Sequence, residues 1–394
     1  MGGGSLAGRL DRHLSGTSRP PAVVLDCGFV NGLSAIRRLA RLRVPVIAVD
    51  HRPDALGLRS RLALPVRCPD PAAEPAAFAG FLGELAAGLP RPAVAIPTHD
   101  EYLTGVVRAA EERLLLPAGP PELLEAMQAK RFQYAAAERA GVGLPQTAYP
   151  ESEGAAWDAA YRIPYPAVMK PSLGSEFKRR HGRPLVEASE PAELVAAYRE
   201  AAADEPMFQE LIPGGDDCLW TVGSYLARDG RPLGVFCGRK LLQMPAGVGT
   251  CRVGEAAWDG DAVDAALRLL RELGFHGTSQ VEFKRDPRDG RFKLMEVNAR
   301  LWQWHGLAAD CGVDLVAMAY LDALGRPVKP AVQRPGHRRW VALAGHVRES
   351  RAEGRSLRAF AAPLRPPFSE PVFSLRDPRP AVSQWYGVLR RGGR

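Results

Sequence analysis

The sequence predicts two kinds of architecture in series: a doubly wound α/β domain, then a mixed α+β region whose second half is rich in strands. Three observations carry this expectation. A strand–helix–strand pattern opens the chain, a helix-led stretch follows Pro117, and beyond Pro213 apolar runs of strand length recur. At 394 residues the chain is also too long for one ordinary core, so two or three domains are expected.

Ala22-Val-Val-Leu-Asp26 is a short apolar run of the kind that forms a buried parallel strand. Cys27 to Gly32 makes a turn, Leu33 to Leu42 carries a helical stripe, and Val44 to Asp50 is a second buried strand. Helix at Phe78–Ala87, strand at Ala93–Ile96 and helix at Glu101–Arg113 continue the pattern, giving a compact domain over 20–117. Pro121-Glu122 then starts a helix, because proline suits the first turn and an acid complements the dipole; Gly141 ends the helical pattern. Strands are expected at Ala167–Lys170, Met207–Ile212, Leu219–Ala227, Leu233–Arg239, Gln280–Arg285 and Phe292–Asn298. Helices are expected at Glu190–Ala202, Asp261–Leu273 and Gly312–Leu324.

Composition narrows the class. Hydrophobic residues make up 46% and charged residues 24%, an ordinary globular balance. No apolar run is long enough to cross a bilayer, so no membrane partner is expected. Residues 1–19 are rich in Gly, Ser and Arg and read as a flexible tail rather than a secretory signal. Six scattered cysteines without Cys-x-x-Cys pairs fit reduced thiols in a cytoplasm. The net charge of +8 is concentrated in the Pro/Arg-rich segment 326–394, which reads as irregular, solvated surface; no nucleic-acid partner is expected. Only seven of the cations are lysines against 45 arginines, so a lysine inside an apolar strand is informative: a compact ammonium fits against a phosphate where a broad guanidinium does not.

The sharpest signal is Gln280-Val-Glu-Phe-Lys-Arg-Asp-Pro-Arg-Asp-Gly290-Arg-Phe-Lys-Leu-Met-Glu-Val-Asn-Ala-Arg300. Two strands flank Arg288-Asp289-Gly290, a three-residue loop with glycine where a left-handed residue is needed. With that loop, Pro287 pairs with Arg291 and Glu282 falls opposite Glu296, their Cβ atoms about 5 Å apart. Asn298 lies on the same face, with Val281, Phe283, Met295 and Val297 on the other. Two facing carboxylates and an amide oxygen are hard ligands that suit Mg²⁺, which shares its remaining positions with water and substrate phosphates. Arg300 extends this face and can hold a phosphate or carboxylate in two-point fashion.

Lys170 ends a buried-looking strand, where a desolvated cation wants an anionic partner; an ordinary snorkelling lysine fits the same sequence. The following Ser172, Gly174 and Ser175 offer N–H groups and hydroxyls to phosphate oxygens, although the stretch is not a Walker A loop. The strand Phe208–Ile212 ends in Pro213-Gly-Gly-Asp-Asp217, so its last backbone groups can read an adenine edge and Asp217 can accept a ribose hydroxyl; an unremarkable strand and turn has the same sequence.

Together and in this order, these pieces resemble the ATP-grasp superfamily, in particular its carboxylate–amine ligases, over residues 20–325. The resemblance implies a Rossmann-like pre-ATP-grasp domain (20–117), then a two-lobed ATP-grasp fold with a small lobe (118–205) and a large lobe carrying the metal site (206–325). It implies that Lys130 and Lys170 face the nucleotide phosphates. Glu210, Leu211 and Ile212 would form the hinge at adenine, and Asp217 would take the ribose. Glu282, Glu296 and Asn298 would be the metal ligands and Arg300 the arginine that holds phosphate or intermediate. The implied cofactors are ATP and Mg²⁺, with Mn²⁺ as a substitute, and the implied reaction joins a small-molecule carboxylate to an amine through an acyl phosphate; a homodimer is compatible with this class. The loop Leu173–Arg183 departs from the pattern in carrying only Gly174 and Gly182 amid Arg and Lys.

Arg239-Lys240 follow the expected strand and either face the phosphates, with Lys240 as a catalytic cation, or form an exposed basic turn. Trp302 and His305 either line the acceptor pocket or pack in the core. Ala246–Thr250 reads as a mobile loop, and Thr98–Glu101 sit where α/β sheets present ligands. Two rivals remain: a nicotinamide-dependent oxidoreductase, which lacks the full Gly-x-Gly-x-x-Gly fingerprint and leaves the hairpin acids unexplained, and a non-catalytic ATP-binding protein.

Overall fold

The computed structural model describes residues 5–391 apart from 173–176, 178, 179, 184 and 248. The first domain is a five-stranded parallel sheet in the order β3-β2-β1-β4-β5, built from β1 (Ala22–Leu25), β2 (Val46–Asp50), β3 (Leu64–Arg67), β4 (Ala93–Pro97) and β5 (Leu114–Leu115). Every residue of β1 is buried because both faces are covered. Val23 and Leu25 face the helices Pro75–Gly88 and Asp100–Ala109, while Ala22 and Val24 face the helix Val30–Arg41 and, beyond it, aromatic residues of the next unit.

The N-terminus corrects the expected tail. Leu6–Leu14 is a helix, capped by Ser5, whose hydroxyl accepts the Gly8 N–H at 3.3 Å. Leu6, Leu10 and Leu14 recur every four residues, and Leu10 and Leu14 are buried in the core that includes the Pro75–Gly88 helix. The apolar stripe decides the outcome; the surrounding Gly, Ser and Arg only cover its outer face.

The small lobe is an antiparallel sheet, β7-β10-β8-β9, of β7 (Thr147–Ala148), β8 (Ala167–Lys170), β9 (Val186–Ala188) and β10 (Met207–Glu210). Helices Glu153–Ala160 and Pro191–Ala201 share its core. Both expected lobe boundaries therefore move. β10 belongs to the small sheet, although the sequence placed it at the start of the large lobe. Helices Pro121–Ala126 and Lys130–Arg139, expected in the small lobe, pack Leu124, Tyr134 and Ala137 into the core of the large sheet.

The large sheet runs β15-β14-β11-β12-β13-β17-β18, with β6 (Ala118–Gly119) on β14 and β16 (Ala331–Val332) on β12. Its long strands are β11 (Leu219–Leu226), β12 (Pro232–Met244), β13 (Thr250–Ala256), β14 (His276–Arg285) and β15 (Phe292–Asn298). β12 is longer than expected and pairs with β13, Met244 opposite Thr250; of the expected loop Ala246–Thr250, residue 248 lies outside the described residues.

The C-terminal segment also departs from expectation. β17 (Arg339–Val341) and β18 (Phe368–Ser369) extend the large sheet, and helices Leu343–Ala352, Leu357–Ala361 and Arg379–Arg391 complete it. A buried acid, not the arginines, anchors the segment. Asp377, fully buried, accepts Ser60 Oγ at 2.9 Å, the Arg61 N–H at 3.0 Å and Arg37 Nε at 3.1 Å, tying this segment to the first domain. All six cysteines are free, and no helix of the described residues is long and apolar enough to cross a membrane.

If the N-terminal helix is part of the core, Leu10→Ala lowers stability by about 2–5 kcal/mol, the cost of a cavity at a buried leucine. A urea unfolding midpoint unchanged by that substitution would show the helix to be dispensable.

Candidate active site

The β14–β15 hairpin places Glu282 opposite Glu296 and Gln280 opposite Asn298, as its sequence pattern predicts. The route to that register differs from the prediction. Arg285 pairs with Phe292, so the connection spans 286–291, and Gly290 takes the expected positive φ of 71°. Pro287 and Arg291 do not pair. A β-bulge between the tip and the site leaves Met295 without a partner and shifts the ladder by one residue. Leu294 therefore takes the core place expected for Met295, beside Val281, Phe283 and Val297. Loop and bulge offset each other, and the acids end face to face.

Two like charges so placed require cations, and the fold supplies them from three elements. Lys130 opens the helix Lys130–Arg139, where a cation opposes the dipole, yet its Nζ donates to Glu296 Oε1. Lys240 lies within β12, not in an exposed turn, and reaches Glu282 Oε1 at 2.9 Å while Arg239 pairs elsewhere with Glu255. Arg300 grips Asp100 of the first domain through two bonds of 2.8 and 2.6 Å and also donates to Asn298 Oδ1 at 3.1 Å. Gln280 completes the row, accepting from Asn298 at 3.1 Å and donating to Glu282 at 2.7 Å. Burial works against Glu296, but the Lys130 ammonium overcomes it and holds the carboxyl below its ordinary range. The same contest ends with Lys240 raised by Glu282 and Arg300 raised by Asp100.

Lys170 is different. At the end of β8 its Nζ donates to a neutral partner, Gln209 Oε1, at 2.7 Å, and among the described residues it forms no ion pair. Burial, reinforced by nearby Lys130, lowers it from 10.5 to about 8. It is a desolvated cation near Glu296, an acid already paired with Lys130. Ser172 is buried, with its N–H on Asp204 O at 3.1 Å; Gly174 and Ser175 lie outside the described residues.

The hinge residues are placed by backbone bonds. The Glu210 N–H donates to Gln146 O and the Leu211 N–H to Pro166 O, each at 3.0 Å, leaving the Ile212 N–H without an acceptor among the described residues. The Glu210 carboxylate is committed within the fold, accepting the Gln146 N–H at 2.8 Å and Arg288 Nη2 at 2.7 Å. Asp217 is exposed, while its neighbour Asp216 binds Gln243 through bonds of 2.7 and 2.9 Å.

Trp302 and His305 are core residues rather than pocket lining. Trp302 stacks on Phe236 at 6.2 Å above Gly223, where a Cβ would meet its ring at 1.9 Å. His305 is buried with Nε2 3.0 Å from Asn31 O, and burial lowers its pKa to about 4, so it is neutral near pH 7. The sequence reading missed Asp100 as the Arg300 partner, Gln280 and Gln209. Only Gln280 carried a readable signal, since it stands two residues before Glu282 on the same strand face.

No group of three His, Cys, Asp or Glu side chains gathers among the described residues, so the hairpin face has two carboxylates and an amide. That set fits a hard divalent cation that draws further oxygens from phosphate and water.

Residues 261–330, which contain this hairpin, match the family model for the ATP-binding domain of the carbamoyl-phosphate synthase L chain. A D-aspartate ligase of Enterococcus faecium is 26% identical over 145 residues, 34% of each chain. A Myxococcus xanthus carbamoyl phosphate synthase large chain is 25% identical over 203 residues, 48% of this chain and 18% of that protein. The matches thus span 34% and 18% of the length of these curated relatives. Among solved structures, a biotin carboxylase–ATP-analogue complex from Campylobacter jejuni aligns with TM-score 0.66 and 18% identity, over 80% of this chain and 74% of that one. An L-amino acid ligase from Bacillus licheniformis aligns with TM-score 0.59 and 17% identity, over 80% and 78%. The chain has the ATP-grasp fold: a parallel-sheet domain followed by two lobes with the charged hairpin at their junction.

Lys170 generates a pH test. It is charged below about 8 and neutral above it, so if Lys170 takes a polyphosphate it does so in the charged form. ATP affinity therefore weakens by up to about tenfold per pH unit above that value in the wild type, and not in Lys170→Met. In the ligand-free protein the sign reverses. The unfolded lysine keeps its proton up to its ordinary 10.5, so between about 8 and 10.5 stability relative to Lys170→Met rises with pH. Titration calorimetry and thermal melts at several pH values read both trends, and parallel profiles for the two proteins would refute the assignment.

Proposed function

We propose that the protein is an ATP- and Mg²⁺-dependent ligase that activates a carboxylate as an acyl phosphate and joins it to an amine, releasing ADP and phosphate. One observation carries the reading: Lys130 and Lys240 pair with two facing carboxylates and Arg300 donates to the amide beside them, while half-buried Lys170 nearby bonds, among the described residues, to a neutral group. Such a face has oxygen ligands for a divalent cation and cations for polyphosphate in one place. Its similarity to a D-aspartate ligase and, in fold, to an L-amino acid ligase supports this reaction class.

Each residue has a role in this reading. The backbone of Glu210–Ile212 reads the adenine edge, with the free Ile212 N–H as donor, and Asp217 accepts a ribose hydroxyl. Lys130 and Lys170 take the phosphate oxygens and spread charge as the substrate carboxylate attacks the γ-phosphate. Glu282, Glu296 and Asn298 hold Mg²⁺, which supplies neutralisation of phosphate charge when bound. Arg300, oriented by Asp100, and Lys240 stabilise the oxygens of the acyl phosphate until the amine displaces phosphate. Closure of the lobes keeps water from that intermediate.

Glu296→Ala is the direct test. Magnesium-dependent ADP release in the presence of a productive acid–amine pair falls by about 10²-fold or more, with the circular dichroism spectrum unchanged. Turnover that survives the substitution refutes the metal assignment. A protein that binds ATP but releases no ADP with any acid–amine pair, read beside product mass spectrometry, would be a non-catalytic ATP binder instead.

A further inference from the structure

Only seven of the cations are lysines, and five of them stand on or near the β14–β15 hairpin: Lys130, Lys170, Lys240, Lys284 and Lys293. Four have a partner. Lys130 and Lys240 pair with the two acids, Lys293 lies 3.6 Å from Asp289, and Lys170 bonds to Gln209. Lys284 is half-buried and, among the described residues, forms neither an ion pair nor a hydrogen bond. The acids whose charge reaches it are engaged elsewhere. Asp216 holds Gln243 through bonds of 2.7 and 2.9 Å, and Asp286 holds Arg288 through one of 2.6 Å. Burial therefore prevails and lowers Lys284 below its ordinary range. Directly opposite it stands a second lysine, Lys293. An ammonium so placed, without an acid of its own, is costly until an anion joins it.

Position along the hairpin indicates which anion. β14 pairs with β11 without interruption from Lys284 opposite Leu219 to Gln280 opposite Gly223. Lys284, Glu282 and Gln280 therefore share one face, while Phe283 and Val281 enter the core on the other. From the tip inward that face carries the Lys284–Lys293 pair, the Glu282–Glu296 pair, the Gln280–Asn298 pair and then Arg300. Successive residues on one strand face are about 7 Å apart. The tip end of the row is fixed to the hinge, where Arg288 Nη2 meets the Glu210 carboxylate at 2.7 Å. A nucleotide with its base at the hinge and its outer phosphates on the metal acids thus passes Lys284 with what lies between, the ribose and the α-phosphate. The ribose is neutral. The α-phosphate is the anion.

We propose, on the reading of this site as one for ATP, that Lys284 holds the α-phosphate of the nucleotide, one step along the strand face from the metal acids. The ammonium donates to a non-bridging oxygen that is present in mono-, di- and triphosphates alike. The grip on this oxygen is therefore independent of the metal ion and of the phosphate that is transferred. It is also retained by the product ADP.

Titration calorimetry of the full chain with ADP, and with AMP and adenosine in competition against it, all without magnesium, tests the proposal. In Lys284→Met the affinities for AMP and ADP both fall by about tenfold, while that for adenosine stays at the wild-type value. Lys284→Arg, which keeps the charge, recovers part of the loss. Should Lys284→Met fail to fold, Lys284→Gln takes its place. A loss for ADP with AMP unchanged would put the lysine at the outer phosphates and overturn the proposal. Unchanged affinity for both, or an equal loss for adenosine, which marks a merely structural role, would overturn it too. So would a wild-type protein that binds ADP and not AMP. In all these outcomes the nucleotide reading stands. A wild-type protein that binds neither ADP nor ATP, with or without magnesium, would sink that reading and this inference together.

Discussion

The pairing of Glu282 with Glu296 across one rung of an antiparallel ladder is the constraint from which the rest of the site follows. Two carboxylates on facing positions repel, and partial burial strengthens the repulsion. Lys130 answers one acid and Lys240 the other, from different elements, and Arg300 is held beside them by Asp100 and Asn298. Ion pairs of this kind seldom stabilise a protein, because desolvation offsets most of the Coulomb attraction. Their value here is arrangement. Opposite charges are held in a row that polyphosphate and a divalent cation can enter by exchanging partners.

The site is also where three cores meet. The parallel sheet contributes Asp100 from the start of a helix at its carboxyl edge, the small lobe contributes Lys170, and the large sheet contributes the hairpin and Lys240. Trp302 and Trp304 share one buried cluster with Ala22 and Val24 of β1, so the first domain is joined to the large sheet by packed aromatics. That joint keeps Asp100 within reach of Arg300. The small lobe has a core of its own, connected to the hairpin tip through the Glu210–Arg288 ion pair.

Much of this was legible where a local pattern determines the outcome. The βαβ start, the alternation in the hairpin and a lysine closing an apolar strand each depend on neighbours in sequence. Failures arose where distant packing decides. The stripe Leu6, Leu10, Leu14 was overlooked among polar neighbours, although its spacing was visible. The Pro121–Ala126 and Lys130–Arg139 helices could not be assigned to a lobe, because their apolar faces suit either sheet until the fold selects one. Buried Asp377 and half-buried Arg37, far apart in the chain, form a pair that composition could only present as surface charge. The hairpin register was predicted through a three-residue tip that does not exist, and agreement with the structure came from the bulge.

That bulge at Met295 has a consequence for how the chain tolerates change in length. It lies between the tip and the acids, while on the far side Gln133 bonds to both the N–H and the carbonyl of Val297, anchoring the ladder to the helix Lys130–Arg139. Phase is thus set at the anchored end, and the free end accommodates mismatch. Insertions and deletions in the tip between Asp286 and Arg291 are absorbed there, and loss of the unpaired Met295 would only make the Phe283–Leu294 and Glu282–Glu296 pairs consecutive rungs of a regular ladder.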